Sequence, residues 1–400
     1  MTFVVASFCN FLGPLILGFV LDSYGPRACS VLSVLLIGIG STIFAVSDRD
    51  TMPMFIPGMC LIAFGGPGAQ NAIIHLSNLF PEWKAMTTSF IVGAFQLSFV
   101  VFLIFDELWS KWNYSYTTLF TGYAVICLVN LGISLLLWPD KPYHMEDIEP
   151  ECAAAFEEEE HSKIPKGPAV SMLFVVFFMD SYDAMLEEGE TDERNLKNAS
   201  FYTQIMSQEF ISLTYFFLVN SFCMNFYIGT FDMQLGDIHD LTLSKRHLFA
   251  ETFTLMITLG VLVIPIVGAM MDRIGFPTTS LVCITSGIIW IILLLFDSSK
   301  WHLLKISFIF YSIYRTAFFT FFFAYLADVL GFAYFGMLGG IIFLFAGILG
   351  MLQYPLALYA AGNCHLYETD PNTCDKGNWS VVNTIMLLFM FSTYYFTYQD

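Results

Sequence analysis

The sequence predicts an all-α polytopic membrane protein in which a polar loop joins two helical-bundle halves. Three observations lead to this fold class. Of the 400 residues, 56% are hydrophobic and 12% are charged, whereas soluble domains carry about 25% charged residues. Eleven apolar runs approach the roughly 20 residues that a membrane-spanning helix needs. A polar turn of the form G-x-x-x-D-x-x-G also occurs twice, 250 residues apart (268 minus 18).

The apolar runs divide into five and six around a long polar stretch. The first five are Thr2–Leu21, Ala28–Val46, Met54–Leu79, Thr88–Phe105 and Thr117–Trp138. The other six are Ser207–Thr230, Leu248–Met271, Thr278–Phe296, Leu304–Ala327, Gly336–Ala361 and Val381–Tyr398. We therefore expect an N-terminal bundle over 1–138, a central loop over 139–206 and a C-terminal bundle over 207–400.

Five spans followed by six is an unusual division for a duplicated protein, whose halves should contain equal numbers of helices. Met1 lies almost at the start of the segment that corresponds to the second helix of the second half. We therefore expect the first helix of the first half to be missing from this chain. A genuine eleven-helix protein is the alternative.

The net charge of −18 is local, since 16 of the 34 acidic residues lie between Asp140 and Glu193. A charge confined to one loop says nothing about a cationic substrate, and it argues against nucleic-acid binding. We expect the acidic runs Glu157–Glu160 and Glu187–Glu193 to be disordered. The apolar run Ala169–Met179 is too short to span a membrane, so we expect a loop helix there.

The repeated turn joins two spans in each half. Its members are Gly18, Asp22, Gly25 and Arg27 in the first half, and Gly268, Asp272, Arg273 and Gly275 in the second. Glycine allows two helices to approach closely, and the aspartate can face the positive N-terminal end of a neighbouring helix. A basic residue in such a turn would lie near the lipid head groups. Two copies at matching places are typical of a duplicated transporter, and we expect these turns to take part in its gating.

The loop at 362–379 indicates the orientation in the membrane. Cys364 and Cys374 could form a disulfide, and Asn378 begins a glycosylation sequon, which would both place this loop outside the cell. A second sequon at Asn113 falls on the same side, whereas a third at Asn198 falls in the central loop and would be unused. Both aspartate turns would then be cytoplasmic. Chance occurrence is the alternative for each sequon, and the distribution of Lys and Arg does not decide the orientation.

The two aspartate turns resemble those of the major facilitator superfamily, whose members pack two six-helix halves around a central cavity. Further fragments resemble solute carrier family forty-three, which contains facilitative carriers for large neutral amino acids and an equilibrative nucleobase carrier. These fragments are Asn78-Leu79-Phe80, Gly93-Ala94-Phe95, Phe102-Leu103-Ile104, Phe226-Tyr227-Ile228-Gly229, Arg315, Phe335-Gly336 and Leu352-Gln353-Tyr354-Pro355. The resemblance covers nearly the whole chain apart from Asp140–Tyr202.

The chain departs from this pattern in two ways. Ser23 occupies the position at which the superfamily's first turn usually carries a basic residue, while Arg273 keeps that residue in the second turn. The departure puts the closure of the first-half gate in doubt. The expected absence of a first helix would matter more, because in this fold that helix lines the cavity.

Arg315 is the only Lys or Arg well inside a predicted span. A central arginine costs about 2.5–3.5 kcal/mol on insertion scales, so it should face the protein interior or water. Tyr311 and Ser307 precede it by one and two helical turns and extend a polar stripe. The paired donors of the guanidinium could recognise a substrate carboxylate or the polar edge of a base. A bond to a carbonyl or acid within the bundle is the structural alternative.

In the first half, Asn71 and His75 share one helical face with Asn78, after the helix-loosening sequence Gly65-Gly66-Pro67-Gly68. They could form a hydrogen-bonding wall for a polar solute, and interhelical packing is the alternative. The other uncharged candidates for substrate binding are Gln96, Asn220, Tyr227 and Gln353. The small residues Gly336, Gly340 and Gly347 form a stripe that suggests packing.

The sequence therefore predicts a carrier rather than an enzyme, because it has no Walker loop, metal-ligand spacing or catalytic Ser/His/Asp grouping. We expect no cofactor, metal or nucleic-acid partner; the partners are the bilayer and a small solute. The resemblance implies neutral amino acids, with a purine nucleobase as the alternative, and the absence of an acid pair within the spans favours facilitated diffusion. A non-transporting sensor or assembly subunit is a further alternative. We expect a plasma-membrane location, and the sequence leaves the oligomeric state open.

Overall fold

The computed structural model describes residues 2–48, 54–80, 83–141, 196–236, 243–296, 301–362 and 378–398. Helices fill these ranges almost completely. The predicted loop helix at Ala169–Met179, the acidic runs, Cys364 and Cys374 all lie outside the described residues.

The first half contains four helical stretches, the first of which is broken at Gly25. They are α1 (Thr2–Val46), α2 (Phe55–Ile74, continued as a 3-10 turn over His75–Leu79), α3 (Lys84–Ser110) and α4 (Tyr116–Leu137). Non-helical backbone at Gly25 divides α1 into a first arm, 2–24, and a second arm, 26–46.

Short elements precede the second half, which contains the remaining long helices. The short elements are a 3-10 turn at Leu196–Asn198 and α5 (Phe201–Ile205). The helices of the second half are α6 (Gln208–Gly236), α7 (Leu243–Leu259), α8 (Ile264–Ile274), α9 (Phe276–Leu295), α10 (Trp301–Tyr325), α11 (Phe335–Gly350), α12 (Gln353–Ala361) and α13 (Trp379–Ser392). A 3-10 turn, Gly260–Val263, joins α7 to α8; a π turn, Leu326–Leu330, extends α10; and a 3-10 turn, Thr393–Tyr398, follows α13.

All eleven predicted spans lie on helices. Within the described residues, 7 helices are long and apolar enough to cross a membrane by length and composition, and one of these, Val4–Val46, contains two predicted spans. The three other predicted spans lie on α2, α3 and α13, which are not among the seven. Residues 196–206, which the prediction places in the central loop, are helical in part.

Glycine contacts define how α1 and α2 pack. The second arm of α1 runs antiparallel to α2, since a Cβ on Gly40 would lie 2.8 Å from the Gly58 carbonyl and one on Gly65 would lie 2.7 Å from the Ser33 carbonyl. The polypeptide thus leaves Asp22 along the second arm and returns along α2. Helix α3 therefore begins at the end of the bundle that contains Asp22.

Close backbone contacts also join the two halves. A Cβ on Gly18 of α1 would overlap the carbonyl of Gly336 at the start of α11. A Cβ on Gly268 of α8 would lie 2.9 Å from Met86 Cα at the start of α3. The junction between the halves therefore repeats: the last helix before each aspartate turn packs on the start of a helix from the other half.

Aromatic side chains form much of the core of the second half. The largest fully buried side chains there include Trp290, Tyr311, Tyr314, Phe216, Phe217, Phe226, Phe308, Phe318, Phe321, Phe322 and Phe335. These rings account for part of the high phenylalanine content of 43 residues. Rings are large and rigid, so this core fixes the rotation of α6 and α10, which carry most of the second-half candidates.

Candidate functional site: the latch turns and a buried aromatic-polar cluster

The two glycine–aspartate turns share one backbone conformation. Gly25 has φ 87° and ψ 175°, and Gly275 has φ 93° and ψ 173°. L-residues with a side chain rarely adopt such φ values, so both positions require glycine. A Cβ on Gly25 would also overlap the carbonyl of Asp140. The repeat seen in the sequence is therefore a repeat of structure.

Each aspartate of the turns binds the start of a helix in the other half. Asp22 Oδ1 accepts a hydrogen bond from the Gly336 amide at 3.0 Å, and its Oδ2 accepts one from the Met337 amide at 2.7 Å. Asp272 Oδ2 accepts a hydrogen bond from the Met86 amide at 3.1 Å. The first-turn amides of a helix lack intrahelical partners and carry partial positive charge, so they suit a carboxylate. The expected pairing with helix N-termini is present.

We call these contacts the Asp22 latch (Asp22 with Gly336 and Met337) and the Asp272 latch (Asp272 with Met86). Asp22 is half-buried, whereas Asp272 is exposed. Since α3 begins at the Asp22 end of the bundle, both latches lie at that end. Helix α3 then leads to Asn113, and α11 with α12 leads towards Asn378, whose amide binds the Ala360 carbonyl at 2.7 Å. Both sequon asparagines are exposed and lie at the opposite end.

Arg27, expected near the head groups, binds the end of α4. Its Nε donates to the Trp138 carbonyl at 2.6 Å, and its Nη1 lies 2.6 Å from Asp140 Oδ1. The Arg27 amide also donates to the Pro139 carbonyl at 3.2 Å. The first turn is thus fixed to the beginning of the central loop. In the second turn, the Arg273 side chain is exposed.

Three of the second-half candidates meet in a buried aromatic-polar cluster. The Tyr227 ring lies 5.2 Å from the Tyr311 ring and 5.1 Å from the Trp290 ring, between centroids. Asn220 lies in the same cluster: its Oδ1 accepts a hydrogen bond from the Tyr314 hydroxyl at 2.7 Å. The structure therefore brings Asn220, Tyr227 and Tyr311 together inside the second half.

Most polar atoms of this cluster are bound within the protein. Asn220 Nδ2 donates to the Phe216 carbonyl at 2.7 Å, so both ends of the Asn220 amide are engaged. The Tyr311 hydroxyl donates to the Met224 carbonyl at 3.2 Å. Tyr314 was not among the predicted site residues, although it directly precedes Arg315. Its spacing of three from Tyr311 was the available signal, because that spacing keeps two side chains near one helical face.

Arg315 is buried, with 6% of its surface exposed, and its guanidinium carbon lies 5.3 Å from the centroid of the Phe319 ring. This distance is within the range of a cation–π interaction. Neighbouring centroids continue the path across the bundle: Phe319 to Phe217 at 6.5 Å, Phe217 to Phe343 at 4.8 Å and Phe343 to Phe11 at 5.8 Å. A line of rings thus leads from Arg315 to α1 of the first half.

The remaining candidates lie in other helices. Asn71 is buried in α2, with 4% exposed, and Gln353 is buried at the start of α12, where its Nε2 donates to the Phe222 carbonyl at 3.4 Å. His75 begins the 3-10 turn that follows α2. The side chains of His75 and Gln96 lie outside the described residues. Among the described residues, no three His, Cys, Asp or Glu side chains form a group that could hold a metal ion.

The chain matches the Major Facilitator Superfamily over residues 1–354, which is most of its length, and it belongs to that superfamily. The family and its fold are those of membrane transporters. A solved structure of human organic anion transporter MFSD10 (TETRAN) superposes with a TM-score of 0.60 at 11% identity, covering 99% of this chain and 83% of that one. This likeness supports the fold alone.

Curated relatives share low identity with the chain. Protein FMP42 of Saccharomyces cerevisiae is 26% identical over 374 residues, which cover 84% of this chain and 72% of FMP42. Large neutral amino acids transporter small subunit 3 of Mus musculus is 25% identical over 149 residues, or 35% of this chain and 25% of that protein. Equilibrative nucleobase transporter 1 of Bos taurus is 21% identical over 280 residues, or 68% and 55%. The chain thus spans less than two thirds of the last two relatives.

Proposed function

We propose that this protein is a carrier that moves neutral amino acids across a membrane by facilitated diffusion, with alternating access between its two halves. The observation that carries the proposal is the buried Arg315 of α10, whose guanidinium carbon lies 5.3 Å from the Phe319 ring centroid. A buried guanidinium presents paired donors that match the two oxygens of a carboxylate. The amino-acid transporter among the relatives supports this substrate class.

The latches support the alternating-access part of the proposal. Each ties one half to the other through a carboxylate and backbone amides, which can separate without unfolding either half. A carrier needs such reversible contacts at each end of its solute path, because closing one end must accompany opening the other. We propose that the latches close the cytoplasmic end and that the protein resides in the plasma membrane.

The candidate residues then fall into two groups. We propose that Arg315 and Tyr311 contact the solute, with Asn71, His75, Gln96 and Gln353 as further polar contacts from other helices. We propose that Asn220 and Tyr227 act by holding the aromatic-polar cluster, because the Asn220 amide is already bound at both ends. The cluster would then set the position of α10 and with it the direction of Arg315.

The placement of charge supports the proposal of facilitated rather than ion-coupled transport. Arg315 is the only Lys or Arg well inside a predicted span, and the predicted spans contain no pair of acids suited to a proton relay. The acids of the two latches bind helix N-termini at one end of the bundle. A carrier without an intramembrane acid pair has no obvious group to bind a coupling proton.

A purine nucleobase is the second candidate substrate. The nucleobase transporter among the relatives matches 68% of the chain, which supports this alternative. The rings near Arg315 would also suit a planar base, which can stack on aromatic side chains, while the guanidinium would donate to its acceptor edge. The same residues thus fit either solute.

Uptake into proteoliposomes separates these functions. Purified protein would be reconstituted and assayed for counterflow of labelled leucine and labelled adenine, with labelled arginine as a charged control. Saturable leucine counterflow that excess unlabelled leucine abolishes supports the amino-acid proposal, and adenine counterflow supports the alternative. If neither solute exchanges in vesicles that contain correctly folded protein, transport of these classes is excluded and a non-transporting sensor or assembly subunit is favoured.

A further inference from the structure

The segment that leads into the second half is attached to the end of α10. Gln204 of α5 is fully buried. Its Nε2 donates to the Leu196 carbonyl at 2.6 Å and to the Leu330 carbonyl at 3.1 Å. One side-chain amide therefore joins the end of the central loop to the π turn Leu326–Leu330.

Further contacts surround this joint. Lys197 Nζ lies 3.5 Å from Asp328 Oδ1, and the Phe201 ring lies 5.4 Å from the Tyr334 ring. A Cβ on Gly331 would lie 3.2 Å from Lys197 Cα, and Gly331 has φ 75°. The segment 196–204 therefore contacts the turn between α10 and α11 through Lys197, Phe201 and Gln204.

This turn leads directly to the Asp22 latch. Leu330, whose carbonyl Gln204 binds, precedes Gly336 by six residues (336 minus 330), and the Gly336 and Met337 amides bind Asp22. Hydrogen bonds to first-turn amides depend on where the helix begins and how it is directed. A contact that holds the turn 326–334 in place therefore also sets the positions of the Gly336 and Met337 amides.

We propose that Gln204 is a positioning residue for the Asp22 latch: it holds the turn before α11 so that the Gly336 and Met337 amides face the Asp22 carboxylate. A role of the latch as a gate rests on the proposed transport function, whereas the geometry of the latch is independent of it. The Gln204 side chain donates its hydrogen bonds to Leu196 and Leu330, and within the described part of the chain it has no hydrogen bond to Asp22 or Arg315. It acts through the turn, and so it connects the end of the acidic central loop to the junction between the halves.

The physical basis is the cost of releasing the turn. A buried amide that loses its carbonyl partners leaves polar groups without hydrogen bonds, which is unfavourable away from water. While both bonds are made, Leu330 is fixed to Leu196. When they are absent, the turn gains freedom and the Asp22 latch must open more often, since an element with fewer constraints populates its open state more.

Amide hydrogen exchange tests this without any transport assay. The observable is the exchange rate of a peptide that contains Gly336 and Met337, measured in purified protein by mass spectrometry. We expect Gln204→Ala to accelerate this exchange roughly tenfold, as the loss of buried hydrogen bonds implies. Gln208→Ala is the matched control, because Gln208 is an exposed glutamine four residues further on, and it should leave the rate unchanged.

A double-mutant cycle separates positioning from general destabilisation. Asp22→Asn weakens the latch from the other side, so Gln204→Ala should add little to the exchange rate in that background if it acts through the latch. A merely structural role would add its full effect in both backgrounds and would also accelerate exchange in α9. Either of those results overturns the proposal, as does unchanged exchange in Gln204→Ala.

A second variant guards against misfolding. If Gln204→Ala does not give monodisperse protein, Gln204→Met keeps most of the side-chain volume and removes both donors, and the same tenfold change is expected. Unchanged exchange in a folded Gln204→Met protein contradicts the proposal. Failure of the transport assays would leave this result unaffected, because the exchange reports the latch and not the solute.

Discussion

The carboxylate of Asp22 accepts a hydrogen bond from the backbone amide of Met337 at 2.7 Å, across the junction between the two halves. The reciprocal bond runs from the Met86 amide to Asp272 at 3.1 Å. Each half therefore contributes one carboxylate and one helix N-terminus to the same end of the bundle. The two latches differ in burial and geometry, since Asp22 is half-buried and accepts hydrogen bonds from two amides at 3.0 Å or less.

Asp22→Ala should destabilise the protein more than Asp272→Ala does. Hydrogen bonds to charged groups contribute about 1.5–3 kcal/mol each, and solvent reduces this at exposed positions. We expect a loss of about 2–3 kcal/mol for Asp22→Ala and about 1 kcal/mol for Asp272→Ala. Thermal unfolding in detergent should rank the midpoints accordingly, and the reverse order would contradict the difference between the latches.

Gly18→Ala should separate the halves at the Asp22 end. The new Cβ would lie 2.5 Å from Gly336 C and 2.9 Å from Gly336 Cα, and both are backbone atoms that cannot rotate away. Overpacking of this kind costs about 1–3 kcal/mol. Gly122→Ala is the control, because no atom lies within 4 Å of a Cβ at that position. Equal unfolding midpoints for the two variants would show that the close approach does not matter.

Arg315→Ala should lower kcat/KM for uptake by about 10- to 100-fold or more, which is the loss expected when a charge-assisted hydrogen-bonding partner is removed. Arg315→Lys should fail as well if bidentate recognition matters, because an ammonium lacks the planar pair of donors. Lys111→Ala is a suitable basic control, since Lys111 is exposed and pairs with Glu107 at 2.7 Å outside the bundle core. Normal saturable uptake by folded Arg315→Ala protein removes Arg315 from the solute site.

Asn220→Ala and Tyr314→Phe should lower stability by about 1–3 kcal/mol each, because each leaves a buried polar partner without its hydrogen bond. The double variant should lose less than the sum, since both changes remove one shared bond. If these residues only hold the cluster and do not contact the solute, we expect KM for the solute to change by no more than roughly twofold. A tenfold rise in KM without loss of stability would return Asn220 to the solute site.

Local sequence patterns were sufficient to predict the two glycine–aspartate turns, whose gating role stays a prediction. The backbone at the end of each turn has a positive φ, which favours glycine. Gly25 and Gly275 adopt it in the same conformation. The pairing of Asp22 with a helix N-terminus also followed from general electrostatics. The identity of that helix did not, because Gly336 is more than 300 residues away and only the packing of the halves brings it close.

The contents of the second-half core were harder to predict. Asn220 and Tyr227 are polar residues on a predicted span, and the sequence does not show that Tyr314 binds the Asn220 side chain. Which neighbour a polar group meets depends on the rotation of two helices. The sequence of α10 is too apolar around most of its circumference to indicate that rotation. The partly helical segment 196–205 was assigned to the loop for a related reason. It contacts residues 326–334, which lie more than 120 positions further along the chain.

Because Gly25 and Gly275 share one conformation, each position in the first turn has a structurally equivalent position in the second. Adding 250 to a residue number in the first turn gives its counterpart in the second, as Gly18 and Gly268, Asp22 and Asp272, and the two glycines demonstrate. A fluorophore or spin label introduced at Ser23 therefore has a geometrically equivalent site at Arg273, and both side chains are exposed. Paired probes at these sites would report whether one half moves before the other or both move together.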